Sequence, residues 1–553
     1  MSDLDDFVAR YVAGVRAQYD AAVNSPATLP AGEKTTHHLA CSDGVQLTTD
    51  VWTPVTSHYG PVPTIVARCP YPIQEGLWDM HGEELTRRGY ALVVQWCRGT
   101  HTSEGVWEPN VHERSDGADL LAWLEEQDWV GAVGLWGTSY LALTCWAVAD
   151  IVTPKVKSIC ANHYGTDRFS SAYEKGAFRP DVLTGWAMQN AGKPVDADYL
   201  ESAAYRPQMR VDEDLWGVHL DWYREWISHP QRDDPYWDEG FWGLLAGIPS
   251  RVRVPMLIHE GWFDHHLGSA LTSYARLPEE TKAHSWLKIG CWNHFFANPL
   301  EGLEPEHLDA SELPAALEWF DLTLQQGKTP ERRVDYYAIG EDTWHRAETW
   351  PPTKGTSESS WYLTEEDSLE ASASEGQLHY TYDPEHPVPT HGGEALLTSM
   401  EEIGSKKQKE AGYRADVLSF TSETLTHDLR VQGAARLELE VSSSAEDSAF
   451  TATLLQVDTD GTARNYRSSI ATLAHDAPYT PGEKRMLTLD FWDVCWTLPA
   501  GSRLRVDVSS SNFPAYSIHT NTAGLWSEQA HTVLAEQTVY TGASRVILPI
   551  SCL

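Results

Sequence analysis

From about residue 45 to 165 the chain alternates short strand-like runs with helical ones: "VQLTTDVW", "PTIVARC", "YALVVQW", then "DGADLLAWLEEQDW", then "VGLWG" and a helical run after it. That alternation predicts a mostly parallel sheet with helices on its faces, an α/β architecture. On such sheets chemistry gathers beyond the carboxyl ends of the strands.

Between 166 and 248 the strand pattern fades, and Trp216, Trp222, Trp226, Trp237 and Trp242 crowd among carboxylates, which reads as a helical insertion. "VPMLIHEGWFD" and "SWLKIGCWNHF" resume the strands. "PAALEWFDLTLQQG" then puts Leu317, Phe320 and Leu324 on one helical face, with Pro314 at its start and Gly327 at its end. Beyond about 330 the period becomes two. Leu437, Leu439 and Val441 alternate with Glu438 and Glu440, and Leu504, Val506 and Val508 share one face of "SRLRVDVSSS". The expected organisation is an α/β part over 1–165, a helical cap over 166–248, a second α/β part over 249–330 and an antiparallel β domain over 331–553. A chain of 553 residues is too long for one core of ordinary size, which agrees with this division.

Asp plus Glu outnumber Lys plus Arg by 79 to 41, a formal charge of −38. Such a field repels nucleic acid phosphates and anionic membrane surfaces, so neither is an expected partner; the acidity equally serves solubility. No stretch reaches the roughly 18 uninterrupted apolar residues of a membrane span. The first residues carry acids where a secretory signal is positive, and Phe7, Tyr11 and Val15 recur at helical spacing. The eight cysteines (41, 69, 97, 145, 160, 291, 495 and 552) lack CxxC spacing, and several lie in apolar runs. Reduced, buried thiols and a cytoplasmic location are expected.

Gly137-Thr138-Ser139 joins an apolar strand to the helical "YLALTCWAVA". A serine hydroxyl is a weak nucleophile unless a base is supplied and the oxygen is held away from competing partners, and a strand-turn-helix elbow provides the second condition. The G-x-S-x-G pattern is incomplete, because residue 141 is Leu. An α/β-hydrolase also needs an acid and then a histidine later in the chain, each on a loop after a strand. Asp264 follows one apolar strand and His294 the next.

With these residues in place the sequence resembles the cocaine esterase-like serine hydrolases, together with the α-amino acid ester hydrolases, glutaryl-cephalosporin acylases and X-Pro dipeptidyl peptidases. The family's G-x-S-Y-x-[GA] elbow is matched by Gly137 to Ala142, its G-W-[YF]-D stretch by Gly261 to Asp264, and its G-x-W-x-H stretch by Gly290 to His294. The resemblance implies an α/β-hydrolase domain with an inserted helical cap and a C-terminal jelly-roll-like β-sandwich. It implies Ser139 as nucleophile, His294 as base, Asp264 as its orienting acid, and an oxyanion hole from the Tyr71 hydroxyl and the Tyr140 N–H. It implies no cofactor. "VVQWCRGTHTSEG" departs from the family's Q-D-x-R-G segment, since Trp96 stands where Asp is usual, and that indole is expected to narrow or reshape the pocket.

The expected substrate is a small-molecule ester or amide. An esterase is the first reading. A peptidase or amidase acting on a free amino terminus is the second and needs a buried carboxylate facing the serine; an acyltransferase and a non-catalytic binding protein follow. His259, Asp264, His265 and His266 do not make an expected metal site, because adjacent histidines on a strand point to opposite faces and no HxH or HExxH spacing is present. Asp212, Glu213, Asp214, Asp233 and Asp234 of the insertion read first as a solvated helical face, with a site for a substrate ammonium as the alternative. The tryptophans are expected mostly in the core, with one or two at an acyl pocket. A hydrolase with an extra β domain also has ample surface for a homo-oligomer.

Overall fold

The computed structural model describes residues 2–55, 60–353, 355–394 and 402–551, with side chains from residue 12 onward. Twelve strands occupy the first two thirds of the chain: β1 Glu33–Ala40, β2 Gln46–Thr53, β3 Val62–Cys69, β4 Ala91–Trp96, β5 Val130–Thr138, β6 Val156–Asn162, β7 Tyr173–Glu174, β8 Ala177–Phe178, β9 Met256–Phe263, β10 Trp286–Asn293, β11 Arg333–Ala338 and β12 Thr343–Ala347. All but the β7–β8 hairpin form one sheet in the order β1-β2-β4-β3-β5-β6-β9-β10-β11-β12. From β4 to β11 every neighbouring pair is parallel. Strands such as β4 and β9 are buried along their whole length, as sheets covered on both faces require. The sheet runs past residue 330, where β11 pairs with β10 and β12 closes the edge antiparallel.

Four helices matter for the site's frame: α1 Ser2–Ala21, α2 Glu75–Arg87, α3 Glu113–Glu126 and α4 Tyr140–Val148. All nine residues of α4 are buried, so the helix behind the elbow is apolar all round. The stretch expected to be one helix from Pro314 forms an α-helix over Leu313–Phe320 that passes into a π-helical turn over Asp321–Gln325, and Leu317, Phe320 and Leu324 are all buried. Between β6 and β9 lie short helices and the small hairpin; its longest helix is Pro180–Gln189. Trp216, Trp226, Trp237 and Trp242 are buried there, in keeping with their expected core role.

The C-terminal third is all β. Its spine is the long strand Ala535–Ser551, which pairs antiparallel with Thr356–Leu363, Gln377–Tyr382, Leu429–Gly433 and Arg436–Ser443. Leu437, Leu439, Val441, Leu504, Val506 and Val508 are all buried, as the period of two demanded. This domain packs beside the end of β9: the Arg467 guanidinium lies 5.5 Å from the Phe263 ring centre, and the Trp262 and Trp350 rings meet at a tilt with centres 5.0 Å apart.

Candidate active site

Four neighbouring parallel strands, β5, β6, β9 and β10, each deliver one side chain immediately past their last residue: Ser139, His163, Asp264 and His294. Tyr71 stands two residues past β3, the strand on the other side of β5. The carboxyl edge of the sheet therefore gathers residues that are far apart in sequence into one row.

At the elbow, Ser139 has φ 59° and ψ −126°, a conformation that costs a non-glycine residue about 1–3 kcal/mol. Two features enforce it. The Ser139 N–H donates to the Asn162 carbonyl at 3.0 Å, tying the turn to the end of β6. A Cβ on Gly137 would lie 2.2 Å from the backbone of Leu141, so only glycine lets α4 return this closely over its own strand. The half-buried Glu312 carboxylate braces the same turn, accepting from Thr138 (2.6 Å), Asn162 (2.8 Å) and Trp136 (3.2 Å). Tyr140 is locked by its side chain, whose hydroxyl donates to Glu113 and accepts from the Asn110 N–H, both at 2.8 Å. Its backbone N–H opens α4, where the first amides have no partner within the helix.

The Nδ1–H of His294 donates to Asp264 Oδ2 at 2.5 Å, and the His266 N–H donates to Asp264 Oδ1 at 2.6 Å. Asp264 is fully buried. Burial alone would raise its pKa, but His294, His163 and His265 around it outweigh burial and hold it well below the usual carboxylate range. The neighbouring buried Glu260 moves the opposite way, raised by burial and then by the charge on Asp264.

His163 completes this group. Trp292 Nε1 donates to its Nε2 at 3.1 Å, which leaves the proton on Nδ1, and Nδ1–H donates to the His294 carbonyl at 2.9 Å. Burial pushes the His163 pKa down to about 4. The glycines of the two later motifs have a packing reason here. A Cβ on Gly261 would meet the Trp292 carbonyl at 2.3 Å, and one on Gly290 would meet the Trp292 ring at 1.7 Å.

Ser139 and Tyr140 line a small cavity of about 30 Å³ together with Asn110, Tyr164, Arg168, Val182, Leu183, Trp186, Trp226, His265 and His266. Tyr71 sits behind Trp186, whose Nε1 donates to the Tyr71 hydroxyl at 3.2 Å. Burial pushes the Tyr71 phenol up, so it stays protonated. His163, Asp264 and His294 also lie close enough to share a metal ion. His294 Nδ1 is committed to Asp264 and His163 Nδ1 to the His294 carbonyl, which is the pattern of imidazoles held by hydrogen bonds.

Three expectations need correction. Trp96 does not shape the cavity: it is the last residue of β4, fully buried, with its Nε1 on Asp50 at 3.0 Å and its ring stacked on His101. His265 and His266 do not diverge as strand neighbours would, because β9 ends at Phe263; their ring centres lie 4.1 Å apart, and both face the cavity. Asp212 belongs neither to a solvated face nor to an open ammonium site: it is buried and clamped by Arg224 at 2.9 and 2.7 Å. Glu213, Asp214 and Asp233 are exposed, and Asp234 caps a short helix through the Tyr236 N–H. Sequence reasoning missed His163, Arg168, Tyr164 and Trp186. Only His163 carried a signal, its place just past the apolar run "VKSICAN".

Known proteins share this fold. The family model described as X-Pro dipeptidyl-peptidase (S15 family) matches residues 43–296, and that of the X-Pro dipeptidyl-peptidase C-terminal non-catalytic domain matches residues 326–546. The chain is 29% identical to cocaine esterase of Rhodococcus sp. (strain MB1 Bresler), over 92% of this chain and 96% of that one. Its fold is similar to that of an aminopeptidase from a marine sediment Thaumarchaeota archaeon, with a TM-score of 0.82 at 20% identity over 95% of this chain and 98% of that one. It is similarly close to an α-amino acid ester hydrolase, with a TM-score of 0.81 at 21% identity over 94% and 97% of the two chains. With both models matched in order along one chain, the protein belongs to the cocaine esterase-like and S15 family of serine hydrolases, α/β-hydrolases with a C-terminal all-β domain that act on ester or related acyl bonds.

Proposed function

We propose that the protein hydrolyses a carboxylic ester of a small molecule through an acyl-enzyme on Ser139. The observation that carries this is the His294–Asp264 hydrogen bond of 2.5 Å, set on the same strand-end row as the strained Ser139 elbow. Asp264 fixes the proton on His294 Nδ1, which leaves Nε2 as the base that takes the Ser139 proton during attack on the carbonyl. The oxyanion that forms is met by the Tyr140 N–H at the start of α4 and by the Tyr71 hydroxyl. That hydroxyl accepts from Trp186, and its own proton has no acceptor among the described residues, so it is free to donate. Water, activated by the same imidazole, then attacks the acyl-enzyme and frees Ser139.

A peptidase acting on a free amino terminus is the second reading, and the cavity disfavours it. Among the described residues none of those lining it is a carboxylate, and the charged side chain that does line it is Arg168. The all-β third reads as a jelly roll rather than a second catalytic unit, in line with its match to a C-terminal non-catalytic domain. The seven described cysteines are free and buried, which suits a reducing, cytoplasmic setting.

A panel of alkyl esters, amino acid esters and X-Pro anilides tests the assignment. Turnover of a short-chain ester at least tenfold above any X-Pro anilide is the expected result, and the reverse order would assign the protein to the peptidases.

A further inference from the structure

The wall of the Ser139 cavity contains buried polar atoms short of partners: His265 Nδ1 has none, and Tyr164 Oη and Arg168 have only each other's side chains within reach. Buried polar groups in folded proteins almost always have full sets of partners, so this shortfall in one small cavity indicates a surface built for a polar ligand. Tyr164 is 4% exposed and His265 2% exposed, so bulk water does not satisfy them.

Arg168 decides the sign of that ligand. Its guanidinium carbon lies 4.7 Å from the Trp226 ring centre and 5.9 Å from that of Trp242. Stacking on indole faces holds a guanidinium in place without neutralising it. Among the described residues no carboxylate pairs with Arg168, and the adjacent Asp167 is already bound to Arg232 at 2.6 Å. In a chain of net charge −38, a cation left unpaired beside the nucleophile is a directed feature of the site. A planar guanidinium presents donors in a fork that matches a carboxylate, and the Tyr164 hydroxyl adds a further donor.

We propose that Arg168 and Tyr164 receive an ionised carboxylate on the acyl part of the substrate. The substrate class is then the half-ester of a short dicarboxylic acid, with the free carboxylate a few bonds from the scissile carbonyl. Ser139, Tyr164 and Arg168 line one cavity, and that adjacency sets the short chain length. This rests on Ser139 being the nucleophile and specifies which acyl group it takes up.

The test compares monoethyl succinate with ethyl pentanoate, a neutral ester of similar length, by titrating released acid. Wild-type kcat/KM should favour monoethyl succinate by about tenfold or more, as a charge-assisted bidentate contact provides. Arg168→Gln should lower that ratio about tenfold, and Arg168→Lys, which keeps the charge but not the fork, should restore part of it. A general loss of structure would depress both esters together and leave the ratio unmoved. An unchanged ratio in an Arg168→Gln variant that still hydrolyses ethyl pentanoate at the wild-type rate, or a wild-type preference for ethyl pentanoate, would overturn the proposal. Succinate binding to the Ser139→Ala variant, followed by tryptophan fluorescence, separates the two layers of inference. Saturable binding that is lost in the Ser139→Ala, Arg168→Gln double variant supports the carboxylate site even if neither ester is hydrolysed, and that pattern would instead remove the catalytic assignment. Turnover of ethyl pentanoate with no succinate binding would remove the carboxylate site alone.

Discussion

The two ends of the same strands, β9 and β10, offer opposite kinds of space. Toward their amino ends lies a cavity of about 530 Å³, lined in part by Leu257, Trp286, Lys288, Glu318 and Arg333. Its charges are already spoken for: Lys288 pairs with Asp309 at 3.5 Å, and Arg333 pairs with Glu318 at 2.9 Å and Asp335 at 2.5 Å. At the carboxyl ends the space is far smaller, about 30 Å³, yet a strained serine, a histidine–aspartate pair and the Arg168 cation, which no described carboxylate pairs, converge on or beside it. Volume alone would direct attention to the amino end. What marks a site is polar groups held in place and left uncommitted, because that arrangement costs stability that packing elsewhere must offset.

The sharpest way to break this comparison is at the carboxyl end. Asp264→Asn should lower kcat by about 10⁴-fold, since an amide cannot hold the His294 proton on Nδ1 in the same way, and steady-state kinetics on a short-chain ester would read the loss. Tyr71→Phe should cost about 100-fold in kcat, the expected price of one oxyanion donor, and a loss under threefold would assign the phenol to packing.

The next effect is on stability. Folded His163 titrates near 4, against 6.5 for an ordinary imidazole, so below 6.5 the unfolded chain binds a proton that the folded chain refuses. Its contribution to stability is complete above pH 6.5 and is lost as the pH falls toward 4. Denaturant unfolding of His163→Gln should accordingly show a pH slope shallower by up to about 1.4 kcal/mol per unit in that window. The smallest effect belongs to the amino end: Lys288→Ala should change turnover by less than about threefold, as expected of a residue outside the chemistry. A larger loss would mean that the big cavity communicates with Ser139.

The fold was legible in the sequence wherever one period governed a run. The strand-helix alternation up to residue 165, the helix after Pro314 and the paired Leu and Val positions near 437 and 504 all appear where the pattern put them. The motif residues were legible for a physical reason too: Gly137, Gly261 and Gly290 are positions where a Cβ has no room. What escaped was assembled by tertiary packing. Arg168 is a lone cation in an irregular insertion, and nothing in its neighbours announces that Trp226, 58 positions away, lies beneath it. The histidine pair was misjudged because strand geometry was extended past Phe263, where the chain has already turned. Trp96 shows the converse, a departure from a family pattern that the structure absorbs into the core.

Covalent labelling with a fluorophosphonate, mapped by peptide mass spectrometry, tests the central claim most directly. A single adduct on Ser139, slowed strongly in the His294→Ala variant and unaffected by Lys288→Ala, is the result this account predicts. An adduct on another residue, or labelling of Ser139 at the same rate without His294, would contradict it.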